Sequence, residues 1–183
     1  MTDDAHLLFM ACQRFEAGKA IRGAFLLTDF DTKPLEFHCT NPIRPTSLQT
    51  VLYGKMLDSH MMVDLIGLPL VNTLKQPPSL ILVQEPNLLR LRQRLNMPVL
   101  WIARESAIAV GADGDGSDTA MLTSASGKFD PLVLIASKEC GMDITVGTPL
   151  LSKVFNRFDL LEPFQRVLTA LEQVHQQKIG ESK

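Results

Sequence analysis

Residues 23–74 decide the fold, and they read GAFLLTDFDTKPLEFHCTNPIRPTSLQTVLYGKMLDSHMMVDLIGLPLVNTL. The first part, residues 24–30, is almost entirely apolar, which is typical of a strand covered on both faces. Turn-forming residues at 31–34 lead into a second strand, in which apolar and polar side chains alternate. The sequence therefore predicts a β-hairpin near the beginning of the chain.

A long apolar helix is expected after the hairpin. Thr46 is the predicted N-cap, because Gln49 stands three residues later and completes the pattern of a capping box. Apolar residues recur at helical spacing over residues 47–66 and give the helix a wide apolar face. Gly67 and Pro69 indicate a kink or a stop at its far end.

The remaining segments alternate between helix and strand patterns. We expect a single globular domain over residues 1–183, α/β or α+β, with a mixed β-sheet of about six or seven strands, a central βαβ unit and a C-terminal helix. Its predicted segments are an N-terminal amphipathic helix (1–18), the hairpin and helix (23–74), the βαβ unit (79–102), further strands (107–146) and C-terminal helices (148–177).

Composition limits the possible functions. The chain has 183 residues, 45% of them hydrophobic, and a formal net charge of −2, which gives no electrostatic argument for binding nucleic acid or anionic membrane. Its three cysteines are far apart in the sequence and show no zinc-ligand spacing, so a reducing compartment is favoured. No secretory signal or membrane-length apolar run is present, and we expect a cytoplasmic protein.

No catalytic residue, cofactor or metal site is predicted. His38 and Cys39 are neighbours on a strand, so their side chains point to opposite faces and cannot form a dyad. The acidic, glycine-rich loop 111–118 resembles a calcium loop only in part, since glycine and glutamate are missing at two required positions. Whether this loop binds a cation is left open.

A helix N-terminus beside an arginine is the most physical binding site in the sequence. Arg44 is followed closely in the sequence by the hydroxyl-bearing Thr46 and Ser47 at the predicted helix start, where free backbone N–H groups can hold a phosphate or a carboxylate. The simpler interpretation is that Thr46 only caps its own helix and that Arg44 pairs with a nearby acid.

Three functions are compatible with these patterns. The favoured hypothesis is a non-catalytic protein-interaction or assembly subunit of a cytoplasmic complex, self-associating as a homo-oligomer or docking to a partner protein. The alternatives are a small-molecule or phosphate-binding enzyme or sensor that uses the corner at 44–47, and an accessory nucleic-acid-binding subunit that uses three arginines. The predicted interaction surface comprises Met56, Met61, Met62, Arg90, Arg92 and Arg94.

Overall fold

The computed structural model describes residues 5–108 and 118–181 and contains a seven-stranded mixed sheet. The strand order is β3-β2-β1-β4-β5-β7-β6, and the prediction of a single α/β domain with a mixed sheet is confirmed. The strands are β1 (Leu7–Phe15), β2 (Ala20–Thr28), β3 (Pro34–Cys39), β4 (Leu80–Val83), β5 (Val99–Arg104), β6 (Thr119–Leu122) and β7 (Leu132–Ala136).

Helices cover both faces of this sheet. The α-helices are α1 (Ser47–Tyr53), α2 (Leu57–Ser59), α3 (Leu68–Val71), α4 (Glu105–Ile108), α5 (Met142–Phe155) and α6 (Glu162–Gln176). Short 3₁₀ segments occur at Glu16–Gly18 and Gly54–Met56, a longer 3₁₀ helix at Pro86–Gln93, and a π-helix at His60–Gly67. No described helix is both long and apolar enough to cross a lipid bilayer.

The first element is a central strand, so the predicted N-terminal helix (1–18) is wrong. Strand β1 pairs antiparallel with β2 and parallel with β4. Its residues Leu7 to Cys12 are all buried. Their side chains alternate between the two faces of the sheet, and apolar side chains cover both faces. A continuous apolar run is the pattern of a strand buried on both faces. Tertiary burial therefore overrides the helical spacing within the same residues.

The hairpin and the capped helix are present. Strands β2 and β3 pair antiparallel. The hydroxyl of Thr46 accepts a hydrogen bond from the Gln49 N–H at 3.2 Å, and the Gln49 side chain accepts one from the Thr46 N–H at 2.9 Å. The break lies at Gly54, whose φ of 53° ends α1, whereas Gly67 has helical dihedral angles. A kink at Gly67 is therefore not observed.

The central βαβ unit has the predicted connectivity. Strands β4 and β5 are parallel neighbours, and the Pro86–Gln93 helix connects them. This helix is wound as a 3₁₀ helix rather than an α-helix, with Leu88 N–H bonded to the carbonyl of Glu85 at 3.0 Å. The different winding changes which side chains share a face.

The C-terminal half differs from the prediction in two places. Residues 144–146, at the end of the region predicted to hold further strands (107–146), are part of α5, which begins at Met142 and not at residue 148. The carboxylate of Asp143 is buried in the first turn and accepts hydrogen bonds from Arg92 at 2.8 Å and from the Val99 N–H at 3.2 Å. These bonds hold the β-branched segment that follows against the sheet as a helix, in spite of its strand propensity.

The beginning of the region predicted to hold further strands (107–146) also differs in the described residues. Residues 107–108 belong to α4, and β6 pairs antiparallel with β7. Residues 109–117, which include most of the acidic, glycine-rich loop at 111–118, lie outside the described residues.

The sheet separates two apolar layers. One layer joins Leu7, Phe9 and their neighbours to α5 and α6, with the Phe9 and Phe164 rings edge to face at 5.3 Å. The other layer joins Leu8 and Met10 to the π-helix, α3 and the Pro86–Gln93 helix. Every central strand therefore contributes side chains to both layers, which fixes its register.

Replacing Gly23 by alanine should destabilise the protein by about 1–3 kcal/mol, because a Cβ at this position would collide with Cγ2 of Ile66. Urea denaturation of the variant measures the loss. In a chain that already carries Ile66→Ala, the same glycine substitution should cost much less, since the colliding group has been removed. Equal costs in the two backgrounds would contradict the proposed close contact.

Candidate functional site

The parallel strands β1, β4 and β5 end at the same edge of the sheet, where a cleft of about 750 Å³ lies. From β1 the chain continues to β2 on one side, and from β4 it continues to β5 on the other side. Ligands of open α/β sheets bind at such a switch point, outside the carboxyl ends of the strands. We call this site the central cleft; its lining includes Cys12, Gln13, Arg14, Glu85, Trp101 and Arg104.

Two arginines give the cleft positive charge. Arg14 donates a hydrogen bond to Asp58 at 2.6 Å, and Arg104 donates one to Asp130 at 3.4 Å. Their side chains are 40% and 44% exposed, and both acids are exposed as well. Exposed ion pairs contribute only about 0–1 kcal/mol. Both guanidinium groups can therefore exchange these partners for an anionic ligand at little cost.

The lining also contains a carboxyl group in an unusual environment. Burial raises the pKa of Glu85; the nearby Arg14 opposes this shift, and Asp58 adds to it. Glu85 lies directly after β4, at the switch point itself. A titratable group with a perturbed pKa in a cleft marks a functional-site candidate.

The thiol of Cys12 is chemically quiet in spite of its position. Burial raises its pKa to about 12, with a further contribution from Glu85 and an opposing one from Arg14. A thiol with such a pKa stays protonated at neutral pH and is a poor nucleophile. Cys12 therefore contributes apolar surface to the cleft and no covalent chemistry.

Two buried polar atoms of the lining have no hydrogen-bond partner among the described residues: Nε1 of Trp101 and Oε1 of Gln13. The Gln13 amide uses its other end to donate to Glu172 at 3.2 Å. A buried donor or acceptor without a partner is unfavourable by about 1–3 kcal/mol. The fold therefore leaves hydrogen-bonding capacity unused beside the central cleft.

A second polar cluster lies apart from the cleft and brings Glu16, His175 and Glu181 together. The buried guanidinium of Arg22 donates from Nε to Nδ1 of His175 at 3.2 Å. Because arginine can only donate, Nδ1 must be the bare nitrogen, and in the neutral ring Nε2 carries the proton. Nε2 of His175, which lies 3.7 Å from Oε1 of Glu16, therefore has no lone pair to offer a cation. The cluster does not fit a metal site.

The predicted anion corner is part of this second cluster. Arg44 donates to both carboxylate oxygens of Glu16, at 2.8 and 2.6 Å, and to Glu181 at 2.9 Å. These hydrogen bonds raise the pKa of Arg44. The hydroxyl of Thr46 caps its own helix, and Ser47 is exposed at the start of the seven-residue α1. Anion binding at this corner stays a prediction. The guanidinium group that would attract the anion, Arg44, is already paired with Glu16 and Glu181.

The predicted interaction surface is not continuous. Met56 is 62% exposed, but Met61 and Met62 are buried in the apolar layer and cannot contact a partner. Arg92 is bonded to the buried Asp143, and Arg94 pairs with Asp64 at 3.1 Å. A continuous stretch of the chain, on and just after α1, does carry several exposed apolar side chains: Leu48, Val51, Leu52, Tyr53 and Met56.

Sequence reasoning missed every charged group of the central cleft. Arg14 fell in the segment predicted as a helix, and Glu85 fell in the predicted βαβ unit without an assigned role. One signal was present: Gln84 and Glu85 follow directly after a buried strand, where parallel strands expose their ends. A correct assignment of β1 would have placed Arg14 at the same edge.

We expect Cys12 to resist thiol reagents in the folded protein. In a Cys39→Ser/Cys140→Ser variant, Cys12 is the sole thiol, and with a pKa of about 12 only on the order of one molecule in ten thousand is ionised at pH 8. Ellman's reagent should label it only after denaturation. A variant that retains Cys140 alone, which is half-buried, is the control and should react in the native state. Equal native rates would contradict the assigned environment.

The sequence matches no known family model and no curated protein. The fold is similar to solved structures of endonuclease V. The Streptomyces avermitilis enzyme is 10% identical, with a TM-score of 0.63 over 96% of this chain and 83% of that chain. The Bacillus subtilis enzyme is 11% identical, with a TM-score of 0.59 over 94% and 82% of the two chains.

A third similar structure holds nucleic acid. It is Ciona intestinalis endonuclease V in complex with a 23mer DNA that contains an inosine followed by a ribo-adenosine; it is 10% identical, with a TM-score of 0.58 over 94% of this chain and 86% of that chain. The predicted non-catalytic protein-interaction or assembly subunit is contradicted, because these similar structures are nucleases and one is bound to DNA. At such low identity the likeness shows the fold alone, and we conclude that this chain has an endonuclease V-like fold.

Proposed function

We propose that this protein binds nucleic acid and that the strand enters the central cleft. The observation that carries the proposal is the position of Arg14 and Arg104, two half-exposed guanidinium groups at the edge where β1 and β5 end. A fold of the same kind holds DNA in the Ciona intestinalis structure. A cytoplasmic location, as the sequence predicts, is part of the proposal.

The distribution of charge supports nucleic acid better than the net charge does. The whole chain carries −2, which by itself predicts no attraction to phosphate. Contacts to phosphates depend on local guanidinium and amide groups, and each contact releases condensed counterions from the nucleic acid. The two arginines supply such groups in the cleft.

The apolar part of the lining suits a base or a sugar. Trp101 and Ile102 of β5 line the cleft together with Leu161 and Leu168, so much of the lining is apolar. Small-molecule and nucleotide sites commonly combine an apolar wall with a few polar groups that orient the ligand. The arrangement can therefore hold the phosphate and the base of a nucleotide at the same time.

Hydrolysis is not part of this proposal. Cleavage of phosphodiesters by a pair of divalent cations requires several carboxylate ligands close together. In the parts of the chain at 5–108 and 118–181, the lining supplies one carboxylate, Glu85, while the neighbouring Asp58 is bonded to Arg14. This donor set does not fit a two-cation centre, and the residues of the cleft account for binding alone.

Fluorescence anisotropy with labelled single-stranded and duplex DNA at low salt tests the proposal. We expect the unmodified protein to bind, and Arg14→Ala or Arg104→Ala to weaken binding by about tenfold, which corresponds to about 1.4 kcal/mol. Each substitution should also lower the magnitude of the salt slope by about one unit, since one phosphate contact is lost.

The matched control is Arg157→Ala. Arg157 is an exposed arginine that forms a surface ion pair with Asp31. Asp31 follows the end of β2, and because β2 is antiparallel to β1 this end lies at the edge of the sheet opposite the cleft. Its replacement should leave both affinity and salt slope unchanged. The proposal is wrong if the unmodified protein binds neither DNA form, or if all three variants lose affinity equally.

Replacing Glu85 by glutamine should strengthen binding, because it removes a negative charge from the cleft and keeps the shape of the side chain. Burial raises the pKa of Glu85, so lowering the pH neutralises this carboxyl before ordinary ones. The unmodified protein should therefore bind DNA more tightly as the pH falls from about 8 to 5. The variant should bind roughly threefold to tenfold more tightly at pH 7.5 and show a flatter pH profile.

Glu139→Gln provides the comparison for this substitution, since Glu139 is exposed and follows β7 at the opposite edge of the sheet. Its affinity and pH profile should match those of the unmodified protein. An unchanged pH profile in the Glu85 variant would show that another group controls binding.

A further inference from the structure

The Pro86–Gln93 helix leads away from the central cleft. Its first residue, Pro86, is part of the cleft lining, together with Glu85 just before it. The 3₁₀ winding has three residues per turn, so side chains at i and i+3 lie directly above one another. The face of this helix is therefore set by a period of three and not by the α-helical period that the sequence suggests.

The period of three aligns one polar stripe. Asn87, Arg90 and Gln93 stand on the same line, with Asn87 half-buried and the other two exposed. On the other two lines, Leu88, Leu89 and Leu91 are buried against the sheet. Arg90 and Arg94, which α-helical spacing would place on one face, are separated by this winding.

Arg90 also differs from the other two arginines in its contacts. Arg92 donates to the buried Asp143 and to the carbonyl of Leu95, and Arg94 pairs with Asp64. The exposed Arg90 makes no ion pair with any residue of the described chain. Its full charge is therefore offered to the solvent, on the stripe whose first member, Asn87, directly follows the cleft residue Pro86.

We propose that Asn87, Arg90 and Gln93 form a track for the phosphate backbone of a nucleic-acid strand that leaves the central cleft. The inference rests on the proposed function and adds to it the path of the strand beyond the cleft.

The chemistry and spacing of the stripe suit this occupant. Arginine, asparagine and glutamine side chains are common donors to phosphate oxygens. With a rise of about 2.0 Å per residue, neighbouring members of the stripe are about 6 Å apart along the helix axis. A strand following the stripe meets one donor after another, and only Arg90 contributes a full charge and hence a salt-dependent term.

Two single-stranded DNA lengths separate the track from the cleft. Oligonucleotides of about 4 and about 16 nucleotides span the range of site sizes of single-strand-binding modules. We expect Arg90→Ala to leave affinity for the short strand unchanged and to weaken binding of the long one about fivefold. For the long strand, the magnitude of the salt slope should fall by about 0.7 unit, the value for one single-strand phosphate contact.

Arg94→Ala is the matched control, because Arg94 is exposed, adjoins the same helix and lies off the stripe. It should change neither affinity nor slope, and Arg90→Lys should restore the slope. Urea midpoints of all variants should equal that of the unmodified protein, since these side chains are exposed.

The outcomes distinguish the track from the site on which it rests. If Arg14→Ala weakens binding of both strands while Arg90→Ala changes neither, the track is wrong and the cleft stands. If Arg90→Ala weakens the short strand as much as the long one, Arg90 belongs to the cleft and the track is again wrong. If the unmodified protein binds no DNA at low salt, the proposed function itself fails.

Discussion

The burial of β1 on both faces, between partners of opposite direction, is the constraint on which the rest of the structure depends. Its antiparallel neighbour β2 and its parallel neighbour β4 fix the point at which the chain changes sides in the sheet. The central cleft lies at that point, outside the carboxyl ends of the strands. Arg14 and Glu85 lie near each other because β1, which contains Arg14, is the neighbour of β4, which ends just before Glu85.

Much of the layered fold could be predicted from the sequence, because local signals and tertiary packing agree over most elements. The capping box at Thr46 and the apolar strands of the βαβ unit are examples. The prediction from sequence fails where the spacing of apolar residues is compatible with a helix and with a buried strand. Residues 7–15 have apolar positions at helical spacing and also a continuous apolar run, and only the presence of neighbouring strands decides between them.

The site was beyond sequence reasoning for a different reason. Its groups come from segments far apart in the chain, such as Arg14 with Asp58, or Trp101 with Leu161. The spacing of these residues along the sequence does not indicate that their side chains line the same cleft. The fully buried Arg22 is a similar case: its partners are His175 and the carbonyl oxygens of Thr40 and Ile179. In the sequence this residue is one charge within an apolar strand.

The central position of β1 also has a consequence for the order of folding. Its pairing with β2 is local and closes a short loop, whereas its pairing with β4 must wait for residues 80–83 and a much larger loop-closure entropy. Until β4 arrives, one edge of an apolar strand has no hydrogen-bonded neighbour. Open edges of this kind promote aggregation of partly folded chains. The early hairpin of β1 and β2 is therefore the partly folded species with the most aggregation-prone edge.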